Sequence, residues 1–223
     1  DTLACALDKL ALARRCEDTG LVPRTEPAGP DALAVAWTFP VFAKPRRGAG
    51  SRGVRLVPDL AALQALPVDE DLIVQDFLPG DEYSVDVIAD SGHRVVAAVP
   101  RTRTRVDSGV AIAGRTVHDP ELEEAAARIA QAIGLVGVAN VQLRRDRDGR
   151  AVLLEVNPRF PGALPLTIAA GVDIPSLVVD LFLGRELPER IPFRERATVR
   201  FLEDVILDPA ELLESAHAGH QDD

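Results

Sequence analysis

The chain has 223 residues, 47% hydrophobic, 27% charged and 4% aromatic; that is enough apolar material for one sizeable core or two smaller ones and excludes a disordered or low-complexity protein. Its 35 acidic residues against 25 basic ones give a formal charge of -10, which argues against a nucleic-acid-binding surface while leaving room for a local basic cleft. No stretch approaches the roughly 18 apolar residues a membrane span needs, and no basic-then-apolar leader opens the chain, so the sequence reads as that of a soluble protein.

Two biases of composition bear on function. Only Lys9 and Lys44 are lysine and every other basic residue is arginine, so each lysine marks a place where a slim point charge is wanted. Methionine is absent altogether. Cys5 and Cys16, read as lying on one helix, are separated by about 16 Å of rise, too far to bridge, which suits a reducing cytoplasm.

In chain order, residues 2 to 19 predict an opening helix, with Leu3, Leu7, Leu10 and Ala11 on one stripe and Gly20 as its stop. The segment from Val22 to Pro40 carries four prolines and predicts a connector with one short helix near residues 31 to 36. A strand at residues 41 to 44, a glycine-rich loop from Pro45 to Gly53 and a strand at residues 54 to 57 come next. A short helix to Leu66 and strands at 72 to 77, 83 to 89 and 94 to 99 follow. Asp119-Pro120 opens an Ala-rich helix that stops at Gly134. Strands at 138 to 145 and 150 to 156 are joined by Asp148-Gly149. Then come an apolar segment, a helix near residues 174 to 182, a strand near 198 to 202 and an acidic tail. Strands joined mostly by hairpin-length turns and mixed with helices predict an α+β fold with antiparallel sheet.

Two places carry chemistry. Gly48-Ala49-Gly50-Ser51-Arg52-Gly53 spells GxGxxG, but a dinucleotide fingerprint needs a helix next, and the β-like Val54-Arg55-Leu56-Val57 follows instead. No lysine follows Lys44, which removes a protein-kinase reading, and there is no Gly-Lys-Ser/Thr P-loop. What remains is either a flexible surface turn or a glycine hairpin whose N–H groups close over phosphates beside the Lys44 ammonium.

The second place is the pair of strands around Asp148-Gly149. A two-residue type I′ turn there sets Gln142 opposite Glu155 and Asn140 opposite Asn157. Alternation puts these four side chains on one face and Val152, Leu154 and Val156 on the other. One carboxylate among amides is a poor cage for a free divalent ion but a good shelf for Mg²⁺ that keeps waters and takes phosphate oxygens. Arg159 stands two residues on, able to bring paired donors to a phosphoryl group. A solvated hairpin face with an Arg-Glu pair is the other reading of the same residues.

Taken together, five segments resemble the ATP-grasp superfamily, and within it carboxylate-amine ligases similar to the ATP-binding domains of carbamoyl phosphate synthetase and biotin carboxylase. They are Asp8-Lys9, the run from Phe39 to Pro45 with its glycine loop, the run from Leu72 to Asp86, Gly137 to Gln142, and Leu154 to Arg159, in the family's order across about residues 1 to 205. The resemblance implies two α+β lobes with antiparallel sheets gripping a nucleotide, and ATP and Mg²⁺ (or Mn²⁺) as cofactors. It implies that Lys9 and Lys44 bind phosphate and that Gly48, Gly50 and Ser51 form a lid. Gln75, Asp76, Phe77 and Leu78 would meet the adenine and Glu82 the ribose. Gln142, Glu155 and Asn157 would be metal ligands, and Arg159, with Lys44, would act in the phosphoryl transfer. Gln142 stands where many relatives have glutamate, which resembles the carbamoyl phosphate synthetase branch.

The resemblance divides the chain into an opening helix and connector (1–22), a small lid lobe (23–75), a large lobe (76–205) and a tail (206–223), with the family's usual N-terminal α/β domain missing ahead of it. The expected reaction transfers the γ-phosphoryl of ATP to a small-molecule carboxylate and couples the acyl phosphate to an amine. A phosphotransferase and a non-catalytic ATP-binding module of a larger assembly are the alternatives. Arg101, Arg103 and Arg105 alternate along an extended segment and either hold the acceptor's carboxylate or balance acidic surface, and residues 107 to 114 read as a loop that orders over substrate. His93 and His118 read as surface residues, and His217 and His220 are too isolated for a zinc site. No nucleic-acid or membrane partner is expected, and a homodimer is left open.

Overall fold

The computed structural model describes residues 2–48, 50, 52–102, 105–107, 110–201 and 206, with 105–107 and 110–112 as backbone alone. Residues 2 to 19 form two helices, α1 (Thr2–Ala6) and α2 (Lys9–Arg15), and a 3-10 turn (Glu17–Thr19), where one helix was expected. The break falls at Asp8, whose backbone is extended (φ -119°, ψ 104°) and whose carboxylate caps α2 by accepting from the N–H groups of Leu10 and Ala11. A short acidic side chain competes for backbone donors, so an internal Asp starts a helix more readily than it continues one.

The chain then runs through β1 (Thr25–Ala28), α3 (Pro30–Ala34), β2 (Val41–Pro45), β3 (Arg55–Val57), α4 (Leu60–Gln64) and β4 (Asp69–Asp76). These strands make one antiparallel sheet in the order β1-β4-β2-β3. Strand β1 lies in the segment expected to be a connector. It survives Pro27 because it is an edge strand, where a missing N–H costs no ladder bond, and its register slips directly after that residue. Alternation along β2 buries Val41 and Ala43 against Ala32, Val57, Leu63 and Val74 and turns Phe42 and Lys44 to the opposite face.

Next come β5 (Glu82–Ala89), β6 (Val95–Thr102), β7 (Arg105–Asp107), β8 (Val110–Arg115), α5 (Pro120–Ala132), β9 (Gly137–Arg145), β10 (Ala151–Asn157), α6 (Leu164–Ala169), α7 (Ile174–Phe182) and β11 (Ala197–Val199). A second antiparallel sheet has the order β10-β9-β5-β6, and a third β11-β8-β7. Of the segment expected as a loop over substrate, Asp107 ends β7 and residues 110 to 114 belong to β8, which pairs antiparallel with β7. One face of the second sheet (Val85, Val87, Val141, Leu143, Leu153) packs on Leu122, Ala126 and Ile129 of α5 and Leu12 of α2. On the opposite face Ile88 and Val99 pack against Val172 and Ile174, but further along the same strands that face becomes polar at Asp86, Ser84, Asn140 and Gln142. The mixed helices and antiparallel sheets are the expected α+β architecture.

The β9-β10 turn corrects the two-residue reading. Asp146 N–H donates to the Arg150 carbonyl, Gly149 N–H donates to the Asp146 carbonyl, and Gly149 sits at φ 79°, a longer turn closed by a left-handed glycine. The Asp146 carboxylate stabilises it by accepting from the N–H groups of Asp148 and Arg150 at 2.8 and 2.9 Å. Arg145 therefore pairs with Ala151, one residue away from the expected register, and a bulge at Leu154 restores it, so that Gln142 does face Glu155 and Asn140 does face Asn157. The bulge also brings Leu154, expected on the opposite face, into the wall of the cleft between the sheets.

Candidate active site

A cleft of about 620 Å³ lies between the first and second sheets. On the side of the first sheet it is walled by Phe42, Lys44, Gln75 and Asp76, with Gly48 and Gly50 of the glycine loop; on the side of the second by Glu82, Gln142, Glu155, Asn157 and Arg159. Lys9, first residue of α2, and Leu78, in the segment joining the two sheets, complete it. Phe77 does not reach the cleft; its ring packs tilted on Phe42, with centroids 5.3 Å apart. Ser51 and Arg103 lie outside the described residues, as do His217 and His220.

The glycine loop is anchored to the start of α2. Lys9 N–H donates to the Arg46 carbonyl at 3.0 Å and its Nζ to the Gly48 carbonyl at 2.9 Å. The Asp8 carboxylate accepts from Arg46 Nε at 2.7 Å and from Arg47 Nη2 at 3.0 Å. Burial alone would raise the Asp8 pKa, but the hydrogen bonds from Arg46 and the Ala11 N–H and the charges of both arginines outweigh it and hold the carboxyl below its usual range. Gly53 ends the loop at φ 74°, and a Cβ there would come within 2.9 Å of the Pro45 ring, so the return into β3 requires glycine.

The two lysines share one electrostatic environment. Lys44 is only 7% exposed; burial, and then the neighbouring Lys9 charge, push its pKa down to about 8 against the pull of Glu155. Lys9 is also lowered by burial, with Glu155 and Asp8 opposing. Two amines that repel in a half-dry cleft favour the arrival of an anion, which relieves both the desolvation and the repulsion.

The second sheet supplies oxygen donors. The paired positions Gln142 and Glu155 both border the cleft, and Asn157 Nδ2 donates to Glu155 Oε1 at 2.9 Å. That bond turns the Asn157 amide so that its carbonyl oxygen is left as an acceptor. One carboxylate and two amide oxygens form a hard donor set that suits Mg²⁺ carrying phosphate and water ligands. Among the described residues there is no group of three or more His, Cys, Asp or Glu able to hold a metal. Arg159 is exposed at the mouth, with Nη1 donating to the Phe160 carbonyl.

One expectation is corrected here, that for Arg101, and one residue of the shared polar face stands apart from the cleft. Asn140 shares the face of Gln142 but does not border the cleft; it is buried and donates through Nδ2 to Asp86 Oδ1 at 2.7 Å. Arg101, expected to hold a substrate carboxylate, is buried and holds that of Asp86 instead, at 3.3 and 3.4 Å. Thr167 of α6 donates to the same carboxylate at 2.5 Å. Reading the sequence also missed Phe42, two residues before Lys44 and hence on its face, and Leu154, which no signal could place because the bulge decides it. Asp86, paired across β5 and β9 with Asn140, was missed too, because that pairing joins strands far apart in the sequence.

The fold and these residues define an ATP-grasp protein. A family described as "ATP-grasp in the biosynthetic pathway with Ter operon" matches residues 68–205, and the chain belongs to the ATP-grasp family. It is 26% identical over 165 residues to the carbamoyl phosphate synthase large chain of Agathobacter rectalis, covering 67% of this chain and 15% of that protein. It is 28% identical over 206 residues to the D-alanine–D-alanine ligase of Ectopseudomonas mendocina, covering 79% of this chain and 64% of the ligase. Among solved structures, the biotin carboxylase–β,γ-ATP complex from Campylobacter jejuni superposes with a TM-score of 0.70 at 22% identity, over 84% of this chain and 48% of that one. The chain thus spans a fraction of the length of the relatives it matches. No helix among the described residues is long and apolar enough to cross a membrane.

Proposed function

We propose that the chain is the nucleotide-binding body of a carboxylate-amine ligase, which phosphorylates a carboxylate with ATP and lets an amine displace the phosphate. The single observation that carries this reading is the convergence on one cleft of Lys9 and Lys44 from one side and Glu155, Gln142, Asn157 and Arg159 from the other. In the first step an oxygen of the carboxylate substrate bonds to the γ-phosphorus while the bond to the ADP oxygen breaks; in the second the amine nitrogen bonds to the acyl carbon, inorganic phosphate leaves and the nitrogen gives up a proton.

Lys9 and Lys44 would neutralise the phosphate chain in surroundings dry enough to strengthen the interaction, and Arg159, at the mouth of the cleft, would meet the phosphoryl in transit. Glu155, Gln142 and Asn157 would hold Mg²⁺, which offsets phosphate charge when bound. The glycine loop, rooted on Asp8, would cover the phosphates and keep water from the acyl phosphate.

The test is to incubate the protein with ATP, Mg²⁺, candidate carboxylates and hydroxylamine. A hydroxamate formed together with ADP supports the reading. ADP formation with a productive substrate but no trapped acyl group contradicts it in favour of a phosphotransferase.

A further inference from the structure

Deep in the cleft, the first sheet holds a polar side chain whose orientation is fixed by a residue that does not itself border the cleft. Gln75 on β4 is directly paired with Thr25 on β1, and both are buried. The Thr25 hydroxyl lies 2.9 Å from the Pro23 carbonyl, which can only accept, so the single hydroxyl proton is committed there. The amide atom of Gln75 at 2.8 Å from the same hydroxyl must then be a donor, Nε2. The amide has no freedom left: Oε1 is turned away from Thr25.

Gln75 borders the cleft, and among the described residues no donor reaches its Oε1. Around it Phe42, Leu78 and Leu154 give apolar walls suited to a flat ring. The neighbouring polar groups are engaged: Asp76 is bound by Arg24, and Arg144 Nε donates to the Gly80 carbonyl. A purine seated there meets an acceptor.

We propose that Thr25 is a positioning residue for nucleotide choice: by holding the Gln75 amide in one orientation it selects a 6-amino purine over a 6-oxo purine. A 6-amino group donates to Oε1, whereas a 6-oxo group sets two acceptors against each other in a buried place, and a site built for a donor rejects the analogue that lacks it. The inference rests on the reading of the cleft as a nucleoside triphosphate site and adds how its base is chosen.

The experiment compares binding of ATP and inosine triphosphate, which differ only at the 6-position and in the tautomer this imposes, to the full chain and its variants by calorimetry with Mg²⁺ present. The wild type is expected to favour ATP at least tenfold. Thr25→Val and Thr25→Ala free the amide to turn, and the ratio falls to within about threefold of unity; Thr25→Ser, which keeps the hydroxyl, restores the preference. A merely structural role would weaken both nucleotides alike and leave the ratio at its wild-type value, which would overturn the inference. Equal binding of the two nucleotides by the wild type would overturn it as well, leaving the nucleotide reading intact. Failure of the wild type to bind either nucleotide would overturn both.

Discussion

Lys9 Nζ donates to the carbonyl of Gly48 across 2.9 Å, so the amine proposed to bind phosphate is held by the loop proposed to cover it. Nucleotide entry must exchange this neutral acceptor for a charged one, a favourable trade because charge-assisted hydrogen bonds are the stronger kind. Lys9→Met is expected to raise the KM for ATP roughly tenfold to a hundredfold, the loss of one charged contact, with a smaller change in kcat. Steady-state kinetics over an ATP series checks this; an unchanged KM would remove Lys9 from the phosphate site.

Asp8 both caps α2 and binds Arg46 and Arg47. Replacing it with alanine removes the cap and frees the root of the glycine loop, and a cost of about 1 kcal/mol in unfolding free energy is expected from the cap alone. Because its folded pKa lies below the ordinary value, the stability it contributes is present above the unfolded carboxylate range and is lost as pH falls through the folded value. Urea titrations of wild type and Asp8→Ala at neutral and acid pH should converge at the acid end; a constant gap would contradict the linkage.

Burial and the Lys9 charge push the Lys44 pKa down to about 8. Bound phosphate favours its charged form, so below about 8 the lysine arrives already protonated, while above it nucleotide binding must take up a proton. ATP affinity is therefore expected to be level on the acid side and to fall by up to about tenfold per pH unit on the alkaline side. Lys44→Arg, which stays charged, should abolish that decline whatever its affinity. Calorimetry in buffers of differing ionisation enthalpy gives the proton uptake directly, and its absence above pH 8 would refute the assignment.

The buried Asp86-Arg101 pair separates a structural arginine from a substrate-binding one. Arg101→Ala leaves the Asp86 carboxylate without its counter-charge in a fully buried place, and a loss of about 3–5 kcal/mol in unfolding free energy is expected. Asp86→Asn combined with Arg101→Leu should recover much of it. If Arg101→Ala instead raised the KM for a carboxylate with stability intact, the substrate reading would return.

Much of this site was legible in the sequence because alternation and pairing are local rules. Lys44 ends a strand whose buried partners, Val41 and Ala43, fix its face, and Glu155 meets Gln142 as expected. That second success came by a different route: the turn is longer than Asp148-Gly149 suggests, and the bulge at Leu154 compensates. Arg101 was misread because its partner, Asp86, lies on another strand, and alternation within one segment says nothing of what stands across from it. Strand β1 was missed because Pro27 is a breaker everywhere except at a sheet edge, and edges are a property of topology.

Glu155 and its amide neighbours are proposed to face the two lysines across a cation-bound triphosphate. The most direct measurement is ATP turnover by Glu155→Ala beside wild type, with ATP affinity recorded at several Mg²⁺ concentrations. Loss of at least two orders of magnitude in rate, together with loss of the Mg²⁺ dependence of binding, is the expected result. Turnover near the wild-type rate with the Mg²⁺ dependence retained would rule out this arrangement.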